Sequence, residues 1–427
     1  MTGKRKRKLA MPDTLIIVAS VVLLVAILSW IIPSGTYDYQ EMNINGRIRN
    51  VAIDGTYHTI DKSEVTTTGF LGFFSVLYRG CVEAADVIFM ILCCCGTFGV
   101  VVKTGAFHAG IGTILKKLKG KEILLVPIIM MIFGLGGSVF GMASEFYGFY
   151  PLIVGLGVAL GYDAMFGFAI IAVGEFVGFM GATLNPYSVG IAQTISGVEL
   201  YSGTGYRAIC FVIFMAISII YVMVYGRKIK KNPGASVVFG EKNIHAFDRD
   251  ELNEYSFTLK DGLVLLDVLV VLVVLMLGLI KWGWDFPQLC GLFLLMSMIA
   301  AAICKWSPNK WCSEFIDSAK TAMWGCILTG IAKAITVVMQ DAQIMDTVIY
   351  GLSNVLKNAP HAVSAQVMLV VQTLINFFIP SATGQASATM PIMAQLADII
   401  GVSRQTAVLA FQFGDGLSNI FWPTADI

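Results

Sequence analysis

Glu175 and Asp415 occupy matching places in a chain otherwise short of charge. Each follows a glycine, Gly174 and Gly414, and the two pairs share one constant offset. Glu145 adds a third carboxylate. Hydroxyl and amide side chains and one glycine gather around them: Ser138, Ser144, Thr183 and Asn185 in the first half, and Ser381, Thr383, Gly384, Gln385, Ser387, Ser418 and Asn419 in the second. Carboxylates at membrane depth hold a cation or carry a proton, while hydroxyls, amides and exposed peptide groups hold a polar solute. This is the chemistry of binding. Nothing resembling HExxH, GxSxG or a nucleophile beside a base appears, and the four histidines, His58, His108, His245 and His361, fall in loops or interfacial stretches. "GLGGS" at Gly134–Ser138 lacks the Lys-Ser/Thr and flanking strand of a phosphate loop. The reading is therefore not an enzyme, with no cofactor and no metal site.

The elements that would position these residues are apolar. Hydrophobic residues make up 56% of the 427 and charged ones 13%, with 27 Phe and 20 Met, which is the composition of a membrane protein. A net charge of +1 gives no sign of a nucleic-acid partner. The basic cluster Lys4–Lys8 precedes an apolar run from Thr14 to Ile32 that is too long for a signal peptide and has no small-residue cleavage pattern. It reads as an uncleaved first span with a cytoplasmic N-terminus. None of the nine cysteines falls in the external loop Pro33–Thr68 and no CxxC pair occurs, so neither a disulfide framework nor a zinc site is expected; Cys93–Cys95 read as packing groups.

Along the chain, Thr66–Ala85 reads as an amphipathic interfacial segment and Asp86–Val102 as a span. Lys116, Lys117, Lys119 and Lys121 place the next loop inside. Glu122–Gly161 is two apolar arms broken by Gly, Ser and Glu; Ala164–Val198 is interrupted at "GATLNP", Gly181–Pro186; and Tyr206–Tyr225 ends in the basic run Arg227–Lys231. After a polar linker come spans near Leu263–Ile280, Pro287–Cys304 and Ala319–Met339, then the amphipathic stretch Gln343–Asn358. "PSATGQASAT", Pro380–Thr389, then interrupts two apolar arms, and a last segment breaks around Gly414–Pro423. The division expected is 1–121 scaffold, 122–204 first hairpin and broken helix, 205–231 connecting span, 232–260 linker, 261–360 second scaffold and 361–427 second hairpin and broken helix.

The halves repeat. "GMAS" (Gly141–Ser144) answers "GQAS" (Gly384–Ser387); Pro151 and Pro391 open the second arms, and Gly161 and Gly401 close them. Span counting puts the two hairpins on opposite sides, so the halves are related by inversion, a plan of secondary transporters. Irregular backbone at membrane depth is tolerated where it is buried in protein or lines a wet cavity. A tip that offers peptide amides and half-helix ends to a ligand explains the polar interruption; close helix packing through small residues is the other explanation. The carboxylates read either as ligand groups or as buried structural partners neutralised by Lys333 or Lys103.

On "GEFVGFMGATLNPYSVGIAQ" and "PSATGQASATMPIMAQLAD…FQFGDGLSNIFWPT", the chain resembles the YfcC-type basic amino-acid antiporters, related to the anaerobic C4-dicarboxylate carriers of the ion transporter superfamily. The resemblance implies an all-α polytopic membrane protein in the bacterial inner membrane. It implies an inverted-repeat fold with two re-entrant helical hairpins and two broken transmembrane helices moving against a scaffold, and a homodimer. Relatives carry a Ser-Asn-Thr triplet at each tip for sodium and a substrate carboxylate. Neither tip here has it; only Ser144 and the Ser381/Thr383/Ser387 set stand as equivalents, so sodium coupling does not carry over with the motif. Carboxylates without arginine at tips or breaks point to a small cationic or zwitterionic substrate, and hence to a basic amino-acid antiporter. A Na⁺- or H⁺-coupled C4-dicarboxylate carrier is the alternative. The second half stops at Ile427, soon after Pro423, so a missing end of the last broken helix and a further span are expected.

Overall fold

The computed structural model describes residues 14–44, 47–53, 55–117, 122–240, 257–284, 286–357 and 363–425. Lys4–Lys8, Lys119, Lys121, His245, His361 and residues 241–256 of the linker lie outside the described residues. The chain is mostly helical. Helix α1 (Thr14–Ile31) leads into strands β1 (Ser34–Thr36), β2 (Tyr39–Ile44), β3 (Arg47–Ala52) and β4 (His58–Ile60). Then come α2 (Phe70–Glu83), α3 (Ala85–Lys103), α4 (Ala106–Lys117), α5 (Leu125–Leu135), α6 (Tyr150–Ala159), α7 (Ala164–Met180), the short α8 (Ile191–Ile195) and α9 (Thr204–Lys231). Beyond the linker lie α10 (Leu259–Lys281), α11 (Phe286–Ile303), α12 (Pro308–Ala319), α13 (Met323–Asp341), α14 (Met345–Lys357), α15 (Ser364–Phe378), α16 (Ala382–Ile399) and α17 (Arg404–Ser418).

Among the described residues four helices are long and apolar enough to cross a bilayer: Ala85–Lys103, Thr204–Lys231, Phe286–Ile303 and Pro308–Asp341. In α9 the exposed side chains Ile209, Ile213, Ile217 and Ile220 recur at helical spacing, which is a lipid-facing stripe. Its last turn carries Lys228, Lys230 and Lys231, where cations complement the helix dipole. Helices approach closely where side chains are missing. A Cβ on Gly178 would stand 2.2 Å from Gly134 O, and one on Gly80 would stand 2.4 Å from Gly330 O, seaming α7 to α5 and α2 to α13. Glycine in the first hairpin therefore also serves packing, as the second explanation of the small residues allows.

Two local constructions occur in both halves. Gly161 (φ 81°) and Gly401 (φ 72°) turn the chain in the left-handed region that glycine tolerates. Asp163 and Ser403 then cap α7 and α17, accepting from the amides of Phe166 and Thr406. Gly174 of α7 sits against Met130 of α5 and Gly414 of α17 against Gln372 and Thr373 of α15, so α7 leans on α5 and α17 on α15 at the matching glycine.

Three expectations are corrected. The segment after α1 is not plain loop, and the fold is not purely helical. Strands β2 and β3 pair antiparallel from Tyr39↔Ala52 to Ile44↔Arg47, and β1 pairs with β4. This cap is fastened to α14, where Asp346 accepts from the Tyr37 amide (3.0 Å) and the Tyr39 hydroxyl (2.8 Å) and Tyr57 stacks on Tyr350 at 4.2 Å. Second, most of "PSATGQASAT" is helical. The break is confined to Ile379–Ser381, and α16 starts at Ala382 with Pro391 inside it rather than opening an arm. Ser381 accepts from Gly384 N and so caps the helix, while Ala382, Ala386 and Ala388 favour it. Third, the last segment stays helical through Gly414 to Ser418.

Candidate substrate-binding cavity

In the first half α5 ends in a widened turn, Gly136–Phe140, and the chain reverses at Gly141, whose φ of 69° suits glycine. A tight turn, Ser144–Phe149, then delivers the chain to α6, and Glu145 accepts from Ala143 N at 2.9 Å. The broken helix is stitched to this tip by the very residues the sequence singles out. Ser138 Oγ donates to Gly181 O (3.0 Å) and Ser138 O accepts from Thr183 N (2.8 Å). Asn185 accepts from the amides of Tyr187 and Ser188 and donates to Gly137 O at 3.2 Å. Unwound peptide groups thus find partners without water.

In the second half Gln385 donates to Gln372 Oε1 (2.7 Å), and Ser387 and Thr389 donate back to carbonyls one turn earlier. Asn376 is a hub. Turned so that its nitrogen faces acceptors, it donates to Gln385 Oε1 at 2.9 Å and to Asp415 Oδ1 at 3.2 Å, with its oxygen 2.7 Å from Ser418 Oγ. The halves also meet directly. Thr383 Oγ1 donates to Tyr187 O (3.1 Å), and Gln412 Nε2 donates to Met180 O (2.7 Å) and Ala182 O (3.1 Å), which caps the carbonyl end of α7.

Both tips line one cavity of about 590 Å³. Gly141, Ser144, Glu145 and Glu175 line it from the first half, and Ser381, Thr383, Gly384 and Asn419 from the second. Ser138, Thr183, Asn185, Gln385, Ser387, Asp415 and Ser418 do not; they hold the tips and breaks in shape. Glu175 is fully buried. Its Oε2 accepts from the Tyr150 hydroxyl at 3.1 Å, and its Oε1 has no hydrogen-bond partner among the described residues. Glu175 and Asp415 therefore diverge despite their matching positions, the first beside the cavity and the second in the Asn376 knot.

Sequence reasoning missed several lining groups. Glu83 and Asp86 flank the junction of α2 and α3, and Thr329, Thr336 and Gln340 lie along one face of α13 together with Lys333, which the sequence offers only as a neutraliser of the acids. The α13 stripe recurs at helical spacing and was legible. Among the described residues the cavity is lined by four carboxylates, Glu83, Asp86, Glu145 and Glu175, against one ammonium, Lys333. Lys103 is not among its neutralising groups, because it pairs with Glu314 at 2.5 Å. The tips and breaks themselves contain no arginine, but Arg207, at the start of α9 and 2% exposed, reaches the first break and donates to Thr183 O at 3.4 Å.

The family model for the C4-dicarboxylate anaerobic carriers, DcuC, matches residues 11–427. The chain belongs to the DcuC family. Within that setting it is 33% identical over 458 residues to "Putative basic amino acid antiporter YfcC" of Escherichia coli (strain K12), covering 99% of this chain and 90% of the relative. An uncharacterized protein of Haemophilus influenzae is 28% identical over 464 residues, covering 99% and 91%. Among solved structures, the YdaH transporter of Alcanivorax borkumensis aligns with a TM-score of 0.43 at 14% identity, over 96% of this chain and 88% of that one. The MtrF efflux pump of Neisseria gonorrhoeae aligns with a TM-score of 0.45 at 16% identity, over 97% and 86%. The protein is a multi-pass membrane transporter of the DcuC family.

Proposed function

We propose that this transporter exchanges basic amino acids across the bacterial inner membrane by alternating access. Glu175 carries the reading: a buried carboxylate with one oxygen unpartnered among the described residues, lining a cavity whose described acids outnumber its cations. A buried charge of this kind wants a counter-ion, and a substrate ammonium or guanidinium supplies one. The likeness to YfcC, named for basic amino-acid antiport, supports the same class. The hairpins are re-entrant and the halves inverted in this account, a reading that rests on the matched turns at Gly161 and Gly401 and the matched seams at Gly174 and Gly414. The N-terminus is cytoplasmic by the placement of Lys4–Lys8, and the superfamily resemblance supports a homodimer.

The family description favours a second reading, a C4-dicarboxylate carrier, with a coupling cation or proton offsetting the acids. Counterflow in proteoliposomes separates them. Labelled arginine should enter only when a basic amino acid is trapped inside, without need of sodium. Sodium-dependent entry of labelled succinate, with arginine excluded, would overturn the amino-acid assignment.

A further inference from the structure

Lys333 stands in the middle of α13, half-buried, where its neighbours Ile331, Ala332, Ala334 and Ile335 are buried and apolar. A lysine there is costly at membrane depth and calls for a partner. Among the described residues it has no ion pair and no hydrogen bond, whereas Arg79, Lys103, Lys320 and Arg404 are each matched to an aspartate or glutamate. A lysine kept only to neutralise a resident carboxylate would show that carboxylate bound to it.

The surroundings of Lys333 suit an anion from outside the chain. It lines the cavity in company with Thr336, which donates from the next turn of α13 to Phe378 O, at the entry to the second break. The opening turn of α16, Ser381 to Gly384, lines the same cavity. An ammonium and the positive end of an eighteen-residue helix therefore serve one cavity with Glu175.

We propose that Lys333, with the opening turn of α16, receives the carboxylate of the substrate while the acids take its cationic end. This rests on the amino-acid reading above and adds to it a reason for choosing amino acids over simple amines. A lysine reads a carboxylate as a point charge through a charge-assisted hydrogen bond.

The test compares arginine with its decarboxylated counterpart, agmatine, in binding to the purified full chain and in proteoliposome exchange. The variants are Lys333→Met, which removes the charge, and Lys333→Arg, which keeps it. The wild type should prefer arginine. Lys333→Met should weaken arginine about ten-fold or more while changing agmatine less than about two-fold, and Lys333→Arg should restore most of the preference. Retained agmatine binding serves as the check that Lys333→Met is folded. Equal losses for both ligands, or no loss for either, would overturn the assignment and leave amino-acid exchange standing. A wild type that takes succinate and not arginine, and loses it in Lys333→Met, would overturn the amino-acid reading and keep Lys333 as the carboxylate's partner. A wild type that binds neither arginine nor succinate overturns both.

Discussion

Replacing Glu175 by Gln removes a charge and almost no volume, so the change reads electrostatics rather than packing. Glutamine can still accept from the Tyr150 hydroxyl, now 3.1 Å from Oε2. What it loses is the charged acceptor at Oε1, which has no partner among the described residues and which the proposed cationic substrate would engage. A hydrogen bond to a charged group contributes about 1.5–3 kcal/mol, so arginine affinity should fall about 10- to 150-fold. Asp415→Asn is the control. That side chain sits away from the cavity against Asn376, so its replacement should change affinity less than about three-fold while lowering thermal stability. Titration of labelled arginine onto the detergent-solubilised chain measures both. Equal effects of the two substitutions, or wild-type affinity in Glu175→Gln, would refute the division of labour between the two acids.

Gly178→Ala should destabilise by about 1–3 kcal/mol or more, because its methyl would meet Gly134 O at 2.2 Å, whereas Gly325→Ala, with open space around it, should be neutral or mildly stabilising; thermal unfolding compares them. Gln412→Leu leaves the carbonyls of Met180 and Ala182 without their donor, costing about 1–3 kcal/mol and loosening the first break, which hydrogen exchange at Gly181–Asn185 would register. Burial and the Asp346 charge push the Tyr39 phenol above its ordinary value of 10.0, so the protonated phenol is favoured in the folded cap. That contribution is present below the ordinary value and is lost as pH rises through the folded one. An ultraviolet difference titration between wild type and Tyr39→Phe checks it, and ionisation at the ordinary value would refute the Asp346 contact.

The apolar arms, their interruptions and the acids were legible because Gly, Ser, Pro and Glu stand out against Leu, Ile and Phe, and membrane depth magnifies what each of them costs. Which acid faces the cavity was not legible. Glu175 and Asp415 share an offset, yet at that same offset Asn376, which engages Asp415, corresponds to Gly136, which has no side chain to offer. The extent of the second tip was misjudged because Ser and Gly read as breakers, while Ser381 spends its hydroxyl capping a helix and Ser387 turns its own back onto Thr383 O. The β-cap announced itself in Asn45-Gly46 between alternating residues, a hairpin signal easily overlooked beside long apolar runs. Glu83 and Asp86 belong to the cavity only through tertiary contact, which no local pattern encodes.

A structure of the chain determined with arginine bound tests the central claim most directly. Density for the ligand should lie in the cavity shared by Gly141–Glu145 and Ser381–Gly384, with its cationic end on Glu175. Arginine held by one half alone, or at a site that neither tip touches, would contradict it.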